Sequence, residues 1–314
     1  MSGPVDVEDV ADEQPSPSST PTPVLLVSDS RRAQVGSLEV RRALPNRGRR
    51  TVGAWCFADH FGPVHVDEHQ RTDIGPHPHM GLQTVTWLLD GELLHRDSLG
   101  SEQVVRPGQL NLMTAGHGVA HAEETTTGFR GPVHGVQLWV AQPSATRHGP
   151  PAFEHHAVLP QVELDNCDAT VLVGELGGSR SAARRDSSHV GIDLALRGGA
   201  TTVPLDPSYE HALVVTNGMV RVEAGTVAPG HLAYLGAGRD TLELETAETS
   251  RLLVLGGVPF DETLLMWWNF VARTRQEVEA GYEDWRAGSG RFGRVASSLP
   301  RIEVGPPVWM RPEA

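Results

Sequence analysis

Apolar residues along this chain recur in short runs, each closed by turn residues. VLLVSDS, WLLDGELLH, QLNLMTAG, GVQLWVA, ATVLVGEL, HVGIDLAL, HALVVTNGMVRVE, HLAYLGAG and RLLVLGGV all take this form from Val24 onward. Runs of about 5–8 residues separated by Gly, Asp-Gly, Asn-Gly or Pro-Gly predict β-strands joined by hairpins. No long helical pattern precedes Glu262. Beyond it, RTRQEVEAGYEDW places Val278, Tyr282 and Trp285 at helical spacing, so a short helix is expected near 273–286, its apolar stripe a packing face. The last segment, 291–314, ends in GPPVWMRPEA and reads as an extended tail on the surface.

The strand pattern repeats. TWLLDGELLH (86–95) is echoed by VVTNGMVRVE (214–223), with Gly91 against Gly218. VRPGQLNLMTAGHG (105–118) is echoed by VAPGHLAYLGAGRD (227–240), in the same order and at similar spacing. Two matches in order predict a duplicated β-barrel. The Pro-rich, polar stretch AQPSATRHGPPAFEHH (141–156) marks the division, giving barrels over 23–148 and 149–290. Residues 1–22 are acidic and rich in Pro and Ser, the composition of a disordered tail.

Composition narrows the function. A net charge of −13 over 314 residues opposes direct nucleic-acid binding, which needs a basic surface. The densest basic stretch, RRALPNRGRR from Arg41, is short. No apolar run approaches the ~20 residues of a membrane span, and the N-terminus has no signal-peptide core. Cys56 and Cys167 stand far apart and read as buried free thiols in a reducing compartment, so a cytoplasmic protein is expected.

Chemistry concentrates in GPHPHMGLQ. In a strand, residues two apart share a face, so His77 and His79 can both point into one barrel. The same parity puts Gln83, Val85, Trp87 and Leu89 on that face, an apolar lining. HGVAHAEET adds His121 and Glu123, again two apart. If both strands line one barrel, three imidazoles and a carboxylate converge. Such a set suits one divalent ion, Fe(II), Mn, Ni, Cu or Zn, with two positions left open for reactants. His211 and His231 stand alone in the second repeat, which is therefore read as metal-free. His60, His65, His69, His155 and His156 read as solvated or turn residues, and Gln137 as a pocket residue.

The order HPHMGLQTVTWLLDGELLHRDSLG, PGQLNLMTAGHGVAHAEE, GVQLWV and then WWNFVART resembles the pirin family of the cupin superfamily, over almost the whole chain from about residue 24. The resemblance implies an all-β fold of two tandem cupin (double-stranded β-helix, or jelly-roll) barrels packed face to face. It also implies His77, His79, His121 and Glu123 as metal ligands, the set reached above from parity. Departures stand beside it. Met80-Gly81-Leu82-Gln83 replaces Arg-Gly-Phe-Glu, and Gln83 occupies a position where ordinary cupins often carry a carboxylate ligand, so Glu123 is left as the sole anionic one. TAGHG replaces TAGRG, placing His117 at the rim. His95 and Asp97 are expected to brace a hairpin. Two functions follow from the resemblance. One is an Fe(II)-dependent, quercetin 2,3-dioxygenase-type enzyme acting on a small aromatic substrate such as a flavonol, with Glu123 as ligand and base. The other is a redox-sensing regulator whose iron state governs binding to transcription factors or metabolic enzymes. A monomer is expected in either case.

Overall fold

Strand Thr241–Thr246 alternates exposed and buried residue by residue, the period of a sheet with one face in a core. Strands Leu82–Asp90 and Glu210–Asn217 are instead buried almost throughout. That pattern requires cover on both faces. The chain, described here by a computed structural model of residues 24–223 and 225–311, supplies it by stacking two barrels. The expected tail at 1–22 lies outside the described residues.

Each barrel is a seven-stranded antiparallel sheet closed by a four-stranded one. In the first, the larger sheet runs Ala152–His156, Leu110–Thr114, Leu82–Asp90, Gly131–Ala141, Trp55–Val66, Leu38–Leu44, Arg31–Val35. Its smaller sheet runs Ile74–His79, Val119–Glu124, Leu93–Asp97, Glu102–Val105. In the second, the larger sheet runs Leu26–Asp29, His231–Gly236, Glu210–Asn217, Ser250–Gly257, His189–Leu196, Cys167–Val173, Gln161–Leu164, and the smaller Gly199–Pro204, Thr241–Thr246, Val220–Val222, Gly225–Val227. The orders match strand for strand, and both sequence echoes fall on corresponding strands. The fold is a tandem cupin, as expected.

Two strands cross the division expected from the sequence. Leu26–Asp29 pairs with His231–Gly236 in the second barrel, and Ala152–His156 pairs with Leu110–Thr114 in the first. The seven-stranded sheets meet face to face over one apolar cluster, with Trp55, Val85, Trp87 and Leu138 against Leu172, Val214, Leu253 and Leu255. Backbones approach closely there: a Cβ on Gly53 would lie 2.7 Å from the Gly257 Cα. Across the seam Trp55 Nε1 donates to the Val190 carbonyl at 3.0 Å, and Gly53 N to Glu210 Oε1 at 2.6 Å.

Two strands, Leu38–Leu44 and Trp55–Val66, are additions to the sequence reading. They withdraw one arginine of the basic stretch from the surface: Arg42 is wholly buried and grips Asp59 by two bonds of 2.8 and 2.7 Å. They also correct His60, which is buried on the longer strand with Nε2 2.7 Å from that of His134. His65 and His69 are exposed, while His155 and His156 are half-buried on an edge strand. Cys56 and Cys167 are free and buried, and burial pushes their thiols up to about 12 and about 11.

The helix spans Arg275–Ala287, capped by Thr274, which accepts from Glu277 N, and closed by Gly288 at φ 65. Val278, Tyr282 and Trp285 are its buried face. The chain beyond is more than a surface tail. Ile302 N donates to the Pro76 carbonyl at 2.9 Å, one residue before His77. Trp309 Nε1 donates to Glu279 of the helix at 2.9 Å, within a 3-10 turn at Val308–Met310. Among the described residues no helix is long and apolar enough to cross a membrane.

Candidate metal centre

Strand Ile74–His79 runs antiparallel to Val119–Glu124, with His77 in register with His121. The two-residue period brings His79 to the same face as His77, so three imidazoles meet inside the first barrel. Their nitrogens lie within 4.8 Å of one another, and the residues are 2%, 1% and 1% exposed. His79 Nε2 and His121 Nε2 stand 3.0 Å apart. Two nitrogens at right angles around one ion, each bonded at ~2.1 Å, would be separated by about 3.0 Å.

The imidazoles are held in the neutral form that a metal ion needs. Burial lowers His77 to about 3, and burial with the neighbouring imidazoles holds His79 and His121 well below the usual histidine value. All three are therefore neutral at ordinary pH, with lone pairs available. Two tautomers are set by partners. His77 Nδ1 donates to the Gly75 carbonyl at 2.9 Å, leaving Nε2 as donor to an ion. His95 Nε2 donates to Asp97 Oδ2 at 3.2 Å, so His95 Nδ1 is an acceptor; His121 Nδ1, 3.3 Å away, must donate to it. That leaves His121 Nε2 facing His79. A carboxylate–imidazole chain behind a ligand orients it and raises its basicity. His95 and Asp97 therefore do more than brace the hairpin: Asp97 does hold the turn, accepting from Leu99 N and Ser101 N at 2.9 Å each, and His95 reaches the candidate ligand. Phe153, from the strand that crosses the division, stacks on His95 at 4.4 Å.

The parity argument holds for His77 and His79 but ends at Gly81. This glycine has φ 71 and packs under the Val271 carbonyl, which a Cβ would meet at 2.1 Å. The chain turns there and enters the opposite sheet with its faces exchanged. Val85 and Trp87, expected around the imidazoles, lie instead in the cluster between the barrels, with Leu89 packed against it. The interior receives the other parity, Thr86 above all. Its hydroxyl lies 2.9 Å from Gln137 Oε1 and 3.4 Å from Glu123 Oε1. One proton serves the shorter contact, so the Glu123 carboxylate keeps accepting capacity. Glu123 is 7% exposed, on the interior side of the His121 strand but outside the close three-histidine cluster. With Gln137, Asp59, Phe57, Ile74 and Leu93 it lines an enclosed cavity of about 30 Å³. Gln83 is buried and donates to Thr114 Oγ1 at 3.0 Å.

His117 is exposed at a separate surface pocket, as expected for a rim residue. Arg291 supplies a cation beside it, its Nε donating to the His117 carbonyl at 3.0 Å and its NH2 lying 3.2 Å from Met80 Sδ. In the second barrel the strands equivalent to those of the three histidines present Val203, Leu242 and Leu244 to the core. Among the described residues no second cluster of three metal-ligating side chains forms.

The pirin family model matches residues 37–140, and that of the pirin C-terminal cupin domain matches 191–293. The chain belongs to the pirin family. Its two pirin domains are the two barrels described above. A Pseudomonas aeruginosa protein provisionally named quercetin 2,3-dioxygenase is 44% identical over 89% of this chain and 90% of its own length. A pirin-like protein of Caulobacter vibrioides is 35% identical, over 84% of this chain and 93% of its own. The crystal structure of a quercetin 2,3-dioxygenase from Acinetobacter baumannii superposes with a TM-score of 0.88 at 39% identity, covering 91% of this chain and 97% of that one.

Proposed function

We propose that this pirin is a mononuclear metal oxygenase of the quercetin 2,3-dioxygenase type. His77, His79, His121 and Glu123 would hold one divalent ion, Fe(II) ahead of Mn, Ni, Cu and Zn. The observation that carries this reading is the convergence of three buried neutral imidazoles, two with tautomers set by Gly75 and by His95–Asp97. The ion would supply Lewis acidity toward a flavonol 3-hydroxyl and a means of coupling the substrate to dioxygen. The chain's own residues do the rest. Glu123 takes the 3-hydroxyl proton, Gln137 and Thr86 fix the carboxylate's neighbourhood, and Phe57, Ile74 and Leu93 keep water out. Both oxygen atoms enter the flavonol, its heterocycle opens, and carbon monoxide leaves.

One observation favours a second reading. A cavity of about 30 Å³ has room for a water-sized molecule, far less than a flavonol. Substrate entry would require the lining of this cavity to yield. If that lining stays shut, the buried ion serves as a redox sensor, its charge state altering a surface that binds transcription factors or metabolic enzymes. Oxygen uptake by anaerobically Fe(II)-loaded protein given quercetin separates the two, with metal-free and His79→Ala protein as controls. Metal-dependent uptake that vanishes in the variant supports the oxygenase. Absence of uptake with iron bound rejects it in favour of the sensor.

A further inference from the structure

One layer of the two barrels is filled in opposite ways. In the first, Thr84 stands in register between Met113 and Trp139, which are 1% and 2% exposed. On the equivalent strand of the second, His211 stands between Gly236 and Gly256. At the Trp139 position a large side chain is thus replaced by Gly256, while a bulge in the strand pairing brings Gly236 opposite His211. The ring of His211 uses the space: a Cβ on Gly256 would lie 2.5 Å from its Cδ2 and 2.9 Å from its Nε2. What remains is a pocket of about 340 Å³ at this end of the second barrel, with Val190, Ile192 and Leu205 among its walls.

His211 is 0% exposed, and apart from a weak contact with the Tyr209 backbone neither ring nitrogen has a well-formed hydrogen bond. A buried polar group without a partner is unfavourable and is normally satisfied by protein, water or ligand. Arg185 and Tyr209 add polar atoms to the same pocket. Arg185 donates from NH1 to the His189 carbonyl at 3.1 Å, which orients the guanidinium and leaves further N–H groups for a ligand. Two carboxylates also line the pocket, and each has a partner, Asp206 through Oδ1 alone. Asp206 accepts from Ser208 N and Oγ at 2.9 and 2.6 Å, and Glu175 faces Arg180 at 3.9 Å.

We propose that this end of the second barrel binds a small organic acid, its carboxylate on Arg185 and its apolar body on the Val190, Ile192 and Leu205 walls, with the buried His211 ring beneath it. The site is separate from the metal centre and does not depend on the oxygenase reading.

The test is calorimetric titration of the full-length, metal-loaded protein with 2-naphthoate, alongside neutral 2-naphthylmethanol. The acid is expected to bind the wild type and to weaken at least tenfold in Arg185→Gln, with unchanged circular dichroism. His79→Ala, whose change lies in the other barrel, is expected to bind the acid as the wild type does. Equal binding of the alcohol would overturn the assignment to an acid. Undiminished binding in Arg185→Gln, loss in His79→Ala, or no wild-type binding at millimolar acid would overturn the site itself.

Discussion

The two barrels share one strand order and differ in what they place inside it. The first encloses charge and hydrogen-bonding groups: three imidazoles, the Asp97–His95 chain and the Arg42–Asp59 pair, all buried. The second, on corresponding strands, encloses Val203, Leu242, Leu244, Leu213 and Val215. A sheet closed on itself satisfies its backbone and leaves the interior side chains free to vary, provided volume is kept and every polar group finds a partner. The lesson is that duplication carried the scaffold, while the site rests on a few interior positions. His211 is one of the buried polar residues of this barrel, and it lies where Gly256 stands in place of the first barrel's Trp139.

The difference can be broken, and the largest effect is expected at the buried ion pair. Arg42→Met leaves Asp59 uncompensated and should destabilise the protein by roughly 3–5 kcal/mol. Asp193→Asn, whose partner Arg251 has 30% side-chain exposure, should cost only about 1–2 kcal/mol. Denaturant unfolding of both variants checks this, and equal losses would refute the contrast. Next, His79→Ala should weaken metal binding roughly a hundredfold or more, read as metal content after desalting, whereas His211→Ala should leave it unchanged. Asp97→Asn tests the relay behind His121: affinity should fall about 10- to 100-fold with the fold intact. An unchanged affinity would reduce Asp97 to a turn residue.

The smallest effect concerns pH. Burial lowers His211 from 6.5 to about 4. The unfolded chain then takes up a proton before the folded one does, so this residue's contribution is complete above about pH 6.5 and is lost as pH falls toward 4. His211→Leu should lose less stability than wild type between pH 7 and pH 5, measured by unfolding at each. Parallel losses would show that other groups dominate.

The three histidines were legible because a strand's period is two and each His-x-[His/Glu] pair lies within one strand. The same rule misplaced Val85 and Trp87, because a left-handed glycine at position 81 starts a new strand in another sheet. The pairing of Arg42 was not legible, since its partner Asp59 lies on a neighbouring strand and nothing local announces it. His95 showed its hairpin role in sequence but not its reach to His121, which depends on the register between two strands. The crossing of Ala152–His156 into the first barrel was hidden for the same reason.

By itself, then, the sequence determined most of the hairpin strands, the duplication, the helix and the metal-type residues of the first repeat, because these rest on periodicity and local turn chemistry. The tertiary structure alone decided which strand faces enclose the site, which buried charges pair, how the barrels exchange their edge strands, and where a pocket opens in the second. Those depend on sheet closure and stacking between residues far apart in the chain, and no local pattern encodes which of two buried faces meets which neighbour.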